Sequence, residues 1–160
     1  MLINAIVINA SPLITLFRSG QADLLPRLFN RIVVPEGVWE EVAGEKQDVA
    51  ALGLPNQPWP LRQTVVVSQR VRDWGLGKGE TAVLSYALAH PPLRAAIDDM
   101  DARRCAQVLG IPLLGTGGIL LLAKRRGLLT SVADGLFRLR DAGLWLSDDV
   151  VRMIKTQAGE

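Results

Sequence analysis

Ala95-Ala96-Ile97-Asp98-Asp99-Met100-Asp101-Ala102-Arg103-Arg104 is the stretch on which the fold turns. The apolar run from Leu93 to Ile97 halts at two adjacent carboxylates, and a third follows at Asp101. A helical pattern then passes through Cys105, Val108 and Leu109 to a terminating Gly110. An apolar run between helical patterns reads as a buried parallel strand. In an open α/β sheet, ligands bind in the crevice beyond the carboxyl ends of the strands. Acids gathered there repel one another unless a cation sits among them, so this corner reads as a divalent-metal site. The plainer explanation is that Asp99 or Asp101 N-caps the next helix. It accounts less well for three acids within four positions.

Upstream, Leu2 to Ile8 is apolar apart from Asn4 and reads as a central strand ending at Asn9. Ser11 is placed to N-cap, with Pro12 at the first helical position, a helix through Leu13, Ile14, Leu16 and Phe17. Gly20 interrupts that pattern, and Asp23 to Phe29 forms a second short helix. Arg31 to Val34 is the second strand, and Pro35-Glu36 starts a helix to about Gly44 with Val38 and Val42 on its inner side. Glu45 to Pro60, with its several prolines, reads as an irregular and partly helical excursion, and Thr64 to Ser68 as an edge strand. The loop Trp74-Gly75-Leu76-Gly77-Lys78-Gly79 leads into a helix from Glu80 to Ala89.

Downstream, Ala102 to Leu109 is helical, and Ile111-Pro112-Leu113-Leu114 is a short strand whose proline suggests an edge. Gly115-Thr116-Gly117-Gly118 opens a helix from Ile119 to Arg126, and helices at Val132 to Asp141 and about Asp148 to Thr156 complete the chain. Strands alternating with helices predict a single α/β domain over 1–160, with a mainly parallel sheet and helices on both faces.

The composition excludes several classes. With 160 residues, 49% hydrophobic and 21% charged, the chain is long and apolar enough to bury a core and is not disordered. A net charge of +2 is compatible with a nucleic-acid ligand without arguing for one. Basic clusters at Arg103-Arg104, Lys124-Arg125-Arg126 and Arg138/Arg140 otherwise read as solvated helix faces. The single cysteine, Cys105, excludes an internal disulfide and a thiolate zinc site, and suits a reducing cytoplasm. His90 is the only histidine, and nothing beside it supports a Ser-His-Asp or Cys-His mechanism. No signal peptide is expected, and Ile119 to Ala123 is too short to span a membrane.

Other acids point to the same edge. The inward stripe Val83, Leu84, Ala87 and Leu88 lies three, four, seven and eight residues after Glu80, which puts that carboxylate on the buried face in the first turn. Glu41 lies three residues after Val38 and turns further inward than Glu40. Asn9, ending the first strand, offers a neutral oxygen ligand. Gly77-Lys78-Gly79-Glu80-Thr81 lacks the Ser or Thr that follows the lysine of a P-loop, and Gly115-Thr116-Gly117-Gly118-Ile119-Leu120 lacks the third glycine of a dinucleotide fingerprint. The pair Asp99 and Asp101 is also not that of aspartate-nucleophile phosphatases or receiver domains, because the first strand ends in Asn9.

Five blocks in order carry a resemblance. They are Val7 to Ile14, Ile32 to Val42, Gly77 to Ala82, Ile97 to Arg103, and Gly115 to Lys124. Together they resemble PIN domains, in the branch of predicted nucleic-acid-binding proteins related to VapC-type toxins. The resemblance implies a three-layer α/β/α sandwich and an acidic pocket for Mg²⁺ or Mn²⁺. It further implies metal-dependent cleavage of single-stranded RNA, an antitoxin partner and a homodimer. Carried over by position, the metal set is Asn9, Glu41, Glu80 and Asp99 with Asp98 as alternate, and the catalytic acids are Glu41, Glu80 and Asp99. Thr116 matches a polar pocket position, and Ser11, Lys78, Arg103 and Lys124 join it as expected nucleic-acid contacts. Asn9 departs from the family, standing where its catalytic nucleases carry aspartate, and the lost charge weakens a hard-cation site. The competing expectation is a weakened PIN-like module that binds nucleic acid or a protein without cleaving. Trp39, Trp59, Trp74 or Trp145 would then serve as interface anchors.

Overall fold

The protein is described by a computed structural model that covers residues 4–44 and 47–160. Its sheet has five parallel strands: β1 (Ala5–Ile8), β2 (Arg31–Pro35), β3 (Pro60–Gln63), β4 (Arg94–Ala96) and β5 (Leu113–Leu114). Their order is β3-β2-β1-β4-β5. The central strand β1 pairs Val7 with Val33 of β2 and Ile8 with Ala96 of β4. Ile6, Val7 and Ile8 have no solvent exposure, so β1 is covered on both faces and its continuous apolar run needs no polar alternation. Burial of each such large aliphatic side chain contributes about 1.5–3 kcal/mol.

From β1 the chain steps outward to β2 and β3 on one side, then returns to β4 and steps to β5 on the other. The connections therefore diverge between β1 and β4, and the carboxyl ends of these two strands flank the sheet's switch point. Asn9 and Asp98 stand at those two ends. This juxtaposition positions the site.

Ten helices cover the described sheet: α1 (Ala10–Arg18), α2 (Leu24–Leu28), α3 (Glu36–Gly44), α4 (Val49–Gly53), α5 (Gln69–Arg72), α6 (Lys78–Ala89), α7 (Met100–Leu109), α8 (Thr116–Arg125), α9 (Val132–Asp141) and α10 (Asp148–Gln157). Helix α6 packs across β1, β2 and β4, with α3 and α7 beside it. Helix α1 packs on α3, α4 and α9, and α8 on α2, α9 and α10. The result is the expected three-layer α/β/α sandwich with an all-parallel sheet. Among the described residues no helix is long and apolar enough to cross a membrane.

Some elements differ from the expectation. The edge strand lies at Pro60–Gln63, where it pairs with Ile32 to Pro35 of β2, and 64–68 has no regular structure. Val66 there is 91% exposed, so a β-branched run did not find a partner, while Pro60 is tolerated at the start of an edge strand. Helix α1 begins at Ala10, which makes Asn9 its N-cap in backbone terms and leaves Ser11 exposed in the first turn. Val108 is exposed, and α7 buries Ala102, Cys105 and Ala106 instead. The expected strand residues Leu2 and Ile3, and Glu45, lie outside the described residues. Of the tryptophans, Trp59 stacks on Phe17 and Trp39 lies under the Arg62 guanidinium, whereas Trp74 and Trp145 are exposed.

Candidate functional site

Asn9 is the unusual residue of the site. It is only 3% exposed, and its Nδ2 donates to Glu80 Oε1 at 3.4 Å. Its Oδ1 is buried with no hydrogen-bond partner. An orphaned buried acceptor costs about 1–3 kcal/mol, and such groups in a folded protein call for an explanation. As an N-cap Asn9 would ordinarily turn that oxygen to the first amides of α1, yet its side chain makes no cap bond. The oxygen points instead towards α6, where a Cβ added at Gly79 would lie 3.1 Å from Asn9 Oδ1 and 3.9 Å from Glu41 Oε2. Only a glycine lets helix and strand end approach this closely without the amide giving way. The packing of α3 on α6 brings Glu41 into the same hollow.

Glu80 is half-buried in the first turn of α6, and Glu41 is on the more exposed side of the hollow. Partial desolvation, and secondarily the charge of Glu80, push the Glu41 carboxyl above its usual range. Both burial and a neighbouring like charge disfavour the ionised form of a carboxyl group. The Gly77 turn lies against Glu80, since a Cβ there would sit 2.5 Å from Glu80 Oε2.

The acids after β4 divide their work. Asp98 accepts from Thr116 N at 2.9 Å and from Thr116 Oγ1 at 2.6 Å, which ties the end of β4 to the start of α8. Asp99 is exposed and caps α7, its Oδ2 accepting from Ala102 N at 2.9 Å. Asp99, the acid expected as a ligand, is engaged through Oδ2 by the amide end of its own helix, and Asp98, its expected alternate, is turned to the neighbouring strand's loop. Among the described residues no three acidic side chains gather as a metal-binding group. What converges is smaller than expected. Glu41, Glu80 and the Asn9 amide form one cluster, and Asp98 with Thr116 a second unit at the same sheet edge.

These donors are all oxygens, as a hard divalent cation requires, and one or two carboxylates with a substrate phosphate suffice for Mg²⁺. The unpartnered Asn9 Oδ1 beside Glu41 Oε2 fits such an ion. The residues that could hold it are Asn9, Glu41 and Glu80.

The expected nucleic-acid contacts separate by position. Arg103 donates from Nη1 to Ile97 O at 3.1 Å, and a Cβ at Gly115 would lie 3.4 Å from both that nitrogen and Asp98 Oδ1. This guanidinium stands at the mouth of the crevice. Lys78, exposed at the start of α6, pairs with Glu40 at 3.0 Å, and Ser11 and Thr116 open α1 and α8 at the same edge. Lys124 does not belong with them. It lies eight residues along α8 from Thr116, about 12 Å away, and donates to Thr130 O at 2.6 Å while pairing with Glu160 at 3.3 Å. Its charge is spent on the end of α8. Cys105 is fully buried, and burial pushes its thiol up, which leaves it inert in the core. His90 stacks on Tyr86 and engages Tyr86 O through Nδ1.

The contribution of Gly77 and Gly79 was visible only as a glycine-rich approach to Glu80. The orphaned oxygen of Asn9 had no signal in the sequence, because it depends on where α6 docks. The family model DUF3368, described as a PIN domain, matches residues 5–160. Searches of curated proteins and of solved structures give no match. A match over nearly the whole chain, on a parallel sheet whose switch point carries Asn9 and Asp98, shows that this protein belongs to the PIN-domain family, with its nuclease-type fold.

Proposed function

We propose that the protein is a divalent-metal-dependent endoribonuclease of the PIN/VapC type, acting on single-stranded RNA. The observation that carries this reading is Asn9, whose buried, unpartnered Oδ1 converges with Glu41 on Gly79 while its Nδ2 donates to Glu80. Glu41 and Glu80 would hold the ion, and the Asn9 amide would offer its oxygen while its Nδ2 tethers Glu80 in place. When bound, Mg²⁺ or Mn²⁺ lowers the pKa of water and neutralises charge on the scissile phosphate. Asp98 holds the first turn of α8 by accepting from the Thr116 amide and hydroxyl, which fixes the start of α8 at the same sheet edge as the cluster. Arg103 and Lys78 bear on the phosphodiester backbone, giving binding that weakens with salt and carries little sequence content. The same reading includes a cytoplasmic location, a homodimer and an antitoxin partner.

One observation favours a second reading. With an amide at position 9 and, among the described residues, no third acid in the cluster, the site holds less negative charge than the family's nucleases. A PIN-like module that binds nucleic acid or a protein partner without cleaving is the alternative.

The separating test is incubation with short single-stranded RNAs and Mg²⁺ or Mn²⁺, beside Glu41→Gln and Glu80→Gln. Metal-dependent cleavage by the wild type, lost in both variants, is the expected result. RNA bound but left intact under both metals would give the protein to the binding module.

A further inference from the structure

The opposite edge of the sheet carries a concentration of arginines that the proposed chemistry does not use. Arg31 opens β2 and Arg94 opens β4, and Arg126 follows α8. Each is held by an uncharged group. Arg31 Nη2 donates to Tyr86 Oη at 2.9 Å, the Arg94 guanidinium lies 5.8 Å over the Phe29 ring, and Arg126 Nη1 donates to Leu28 O at 2.8 Å. Among the described residues none of the three has a carboxylate within ion-pairing distance. Burial, and then the charge of Arg126, push the Arg94 guanidinium below its usual range. Two guanidiniums set side by side without an acid are relieved by an anion between them. Capping of nearby helix ends is the plain role of Arg126, but a cap uses one N–H and leaves the rest of the fork free.

The spacing selects the kind of anion. Arg31 and Arg94 lie on strands flanking β1, in register with Ala5 and Ile6 respectively. Their backbones are about 10 Å apart across two strand spacings, and successive register positions point to opposite faces of the sheet. A single phosphate cannot satisfy both, whereas an extended polyanion can. No exposed large hydrophobic residue belongs to the segments that carry these arginines, which disfavours a protein interface.

We propose that Arg31, Arg94 and Arg126 form a second site, at the amino-terminal edge of the sheet, that grips the phosphodiester backbone of single-stranded nucleic acid. Along β4 it lies about 13 Å from Asp98, four strand residues away. The site rests on the nucleic-acid reading above but requires neither metal nor cleavage.

The test is fluorescence anisotropy with a short labelled single-stranded RNA in chelator, so the outcome is independent of whether the wild type cuts. Combined Arg31→Gln, Arg94→Gln and Arg126→Gln should weaken binding roughly tenfold and lower the slope of log affinity against log salt by about two. Arg152→Gln, which removes an exposed arginine of α10 paired with Asp149, should change neither by more than its single unit of net charge. If circular dichroism shows that the triple variant has not folded, Arg31→Gln and Arg126→Gln, both at exposed positions, are read singly, each about threefold weaker. Unchanged affinity in a folded variant overturns the proposal. So does loss of tripolyphosphate binding with RNA affinity intact, which would assign the patch to a small anion.

Discussion

At position 9 the chain places a carboxamide where an aspartate would bring a third charge. Its Nδ2 keeps Glu80 in place while its Oδ1 is left without a partner. Asn9→Asp would exchange that donated hydrogen bond for repulsion with Glu80 and Glu41, and a divalent ion would relieve it. We therefore expect Asn9→Asp to lower Tm by several degrees without metal, and to recover it with Mn²⁺ together with roughly tenfold tighter Mn²⁺ binding. Differential scanning fluorimetry across a Mn²⁺ series reads both. Gly77 tests the site from the other side. A methyl there would meet Glu80 Oε2 at 2.5 Å, and the far end of a flexible side chain yields more readily than backbone. Gly77→Ala should leave Tm within a few degrees and reduce RNA cleavage about tenfold, the scale on which small misplacements act in active sites.

At the scale of elements, close approaches hold the layers. Helix α4 reaches α1 through Gly53, where a Cβ would lie 2.8 Å from Phe17 Cε1 and 2.9 Å from Cδ1. A buried ring stacked on Trp59 has little room to retreat, so Gly53→Ala should cost about 1–3 kcal/mol in chemical denaturation. The end of α10 is fastened differently. The Glu160 carboxylate accepts from Val132 N, Ala133 N and Ser131 Oγ at the start of α9, and pairs with Lys124 of α8. Those amide bonds, aided by Lys124, hold the Glu160 carboxyl at about 2, well below its ordinary 4.5. A depressed carboxyl pKa contributes stability that is present above the unfolded value and is lost as pH falls through the folded one. Glu160→Gln should thus lower Tm at neutral pH, and its difference from wild type should shrink as pH falls from 4.5 towards 2. Thermal melts over that range check the sign.

For the whole molecule, the parallel sheet was legible because its inner strands are covered on both faces. Leu93 to Ile97 and Ile32 to Val34 could hardly be anything else once helical patterns flanked them. The edge strand was misplaced because Val65 to Val67 have strand propensity without a partner, and pairing with β2 is a fact of three dimensions. The crevice was legible to the level of its edge, since Asn9, Glu80 and Asp98 each follow from strand ends or a first helical turn. Which of two adjacent acids faces it was not legible. That choice depends on Asp99 taking the α7 cap and on Thr116 coming within 2.6 Å of Asp98. The arginines of the far edge were invisible as a group, because strand order sets Arg31 and Arg94 at one edge of the sheet and the docking of α8 on α2 brings Arg126 there.

Calorimetric titration of the metal-free protein with Mn²⁺, run beside Glu41→Gln/Glu80→Gln, bears most directly on the oxygen cluster at the switch point. Saturable binding of one ion by the wild type, abolished in the folded double variant, is the predicted result. Equal Mn²⁺ binding by both proteins, or none by the wild type at millimolar metal, would contradict it.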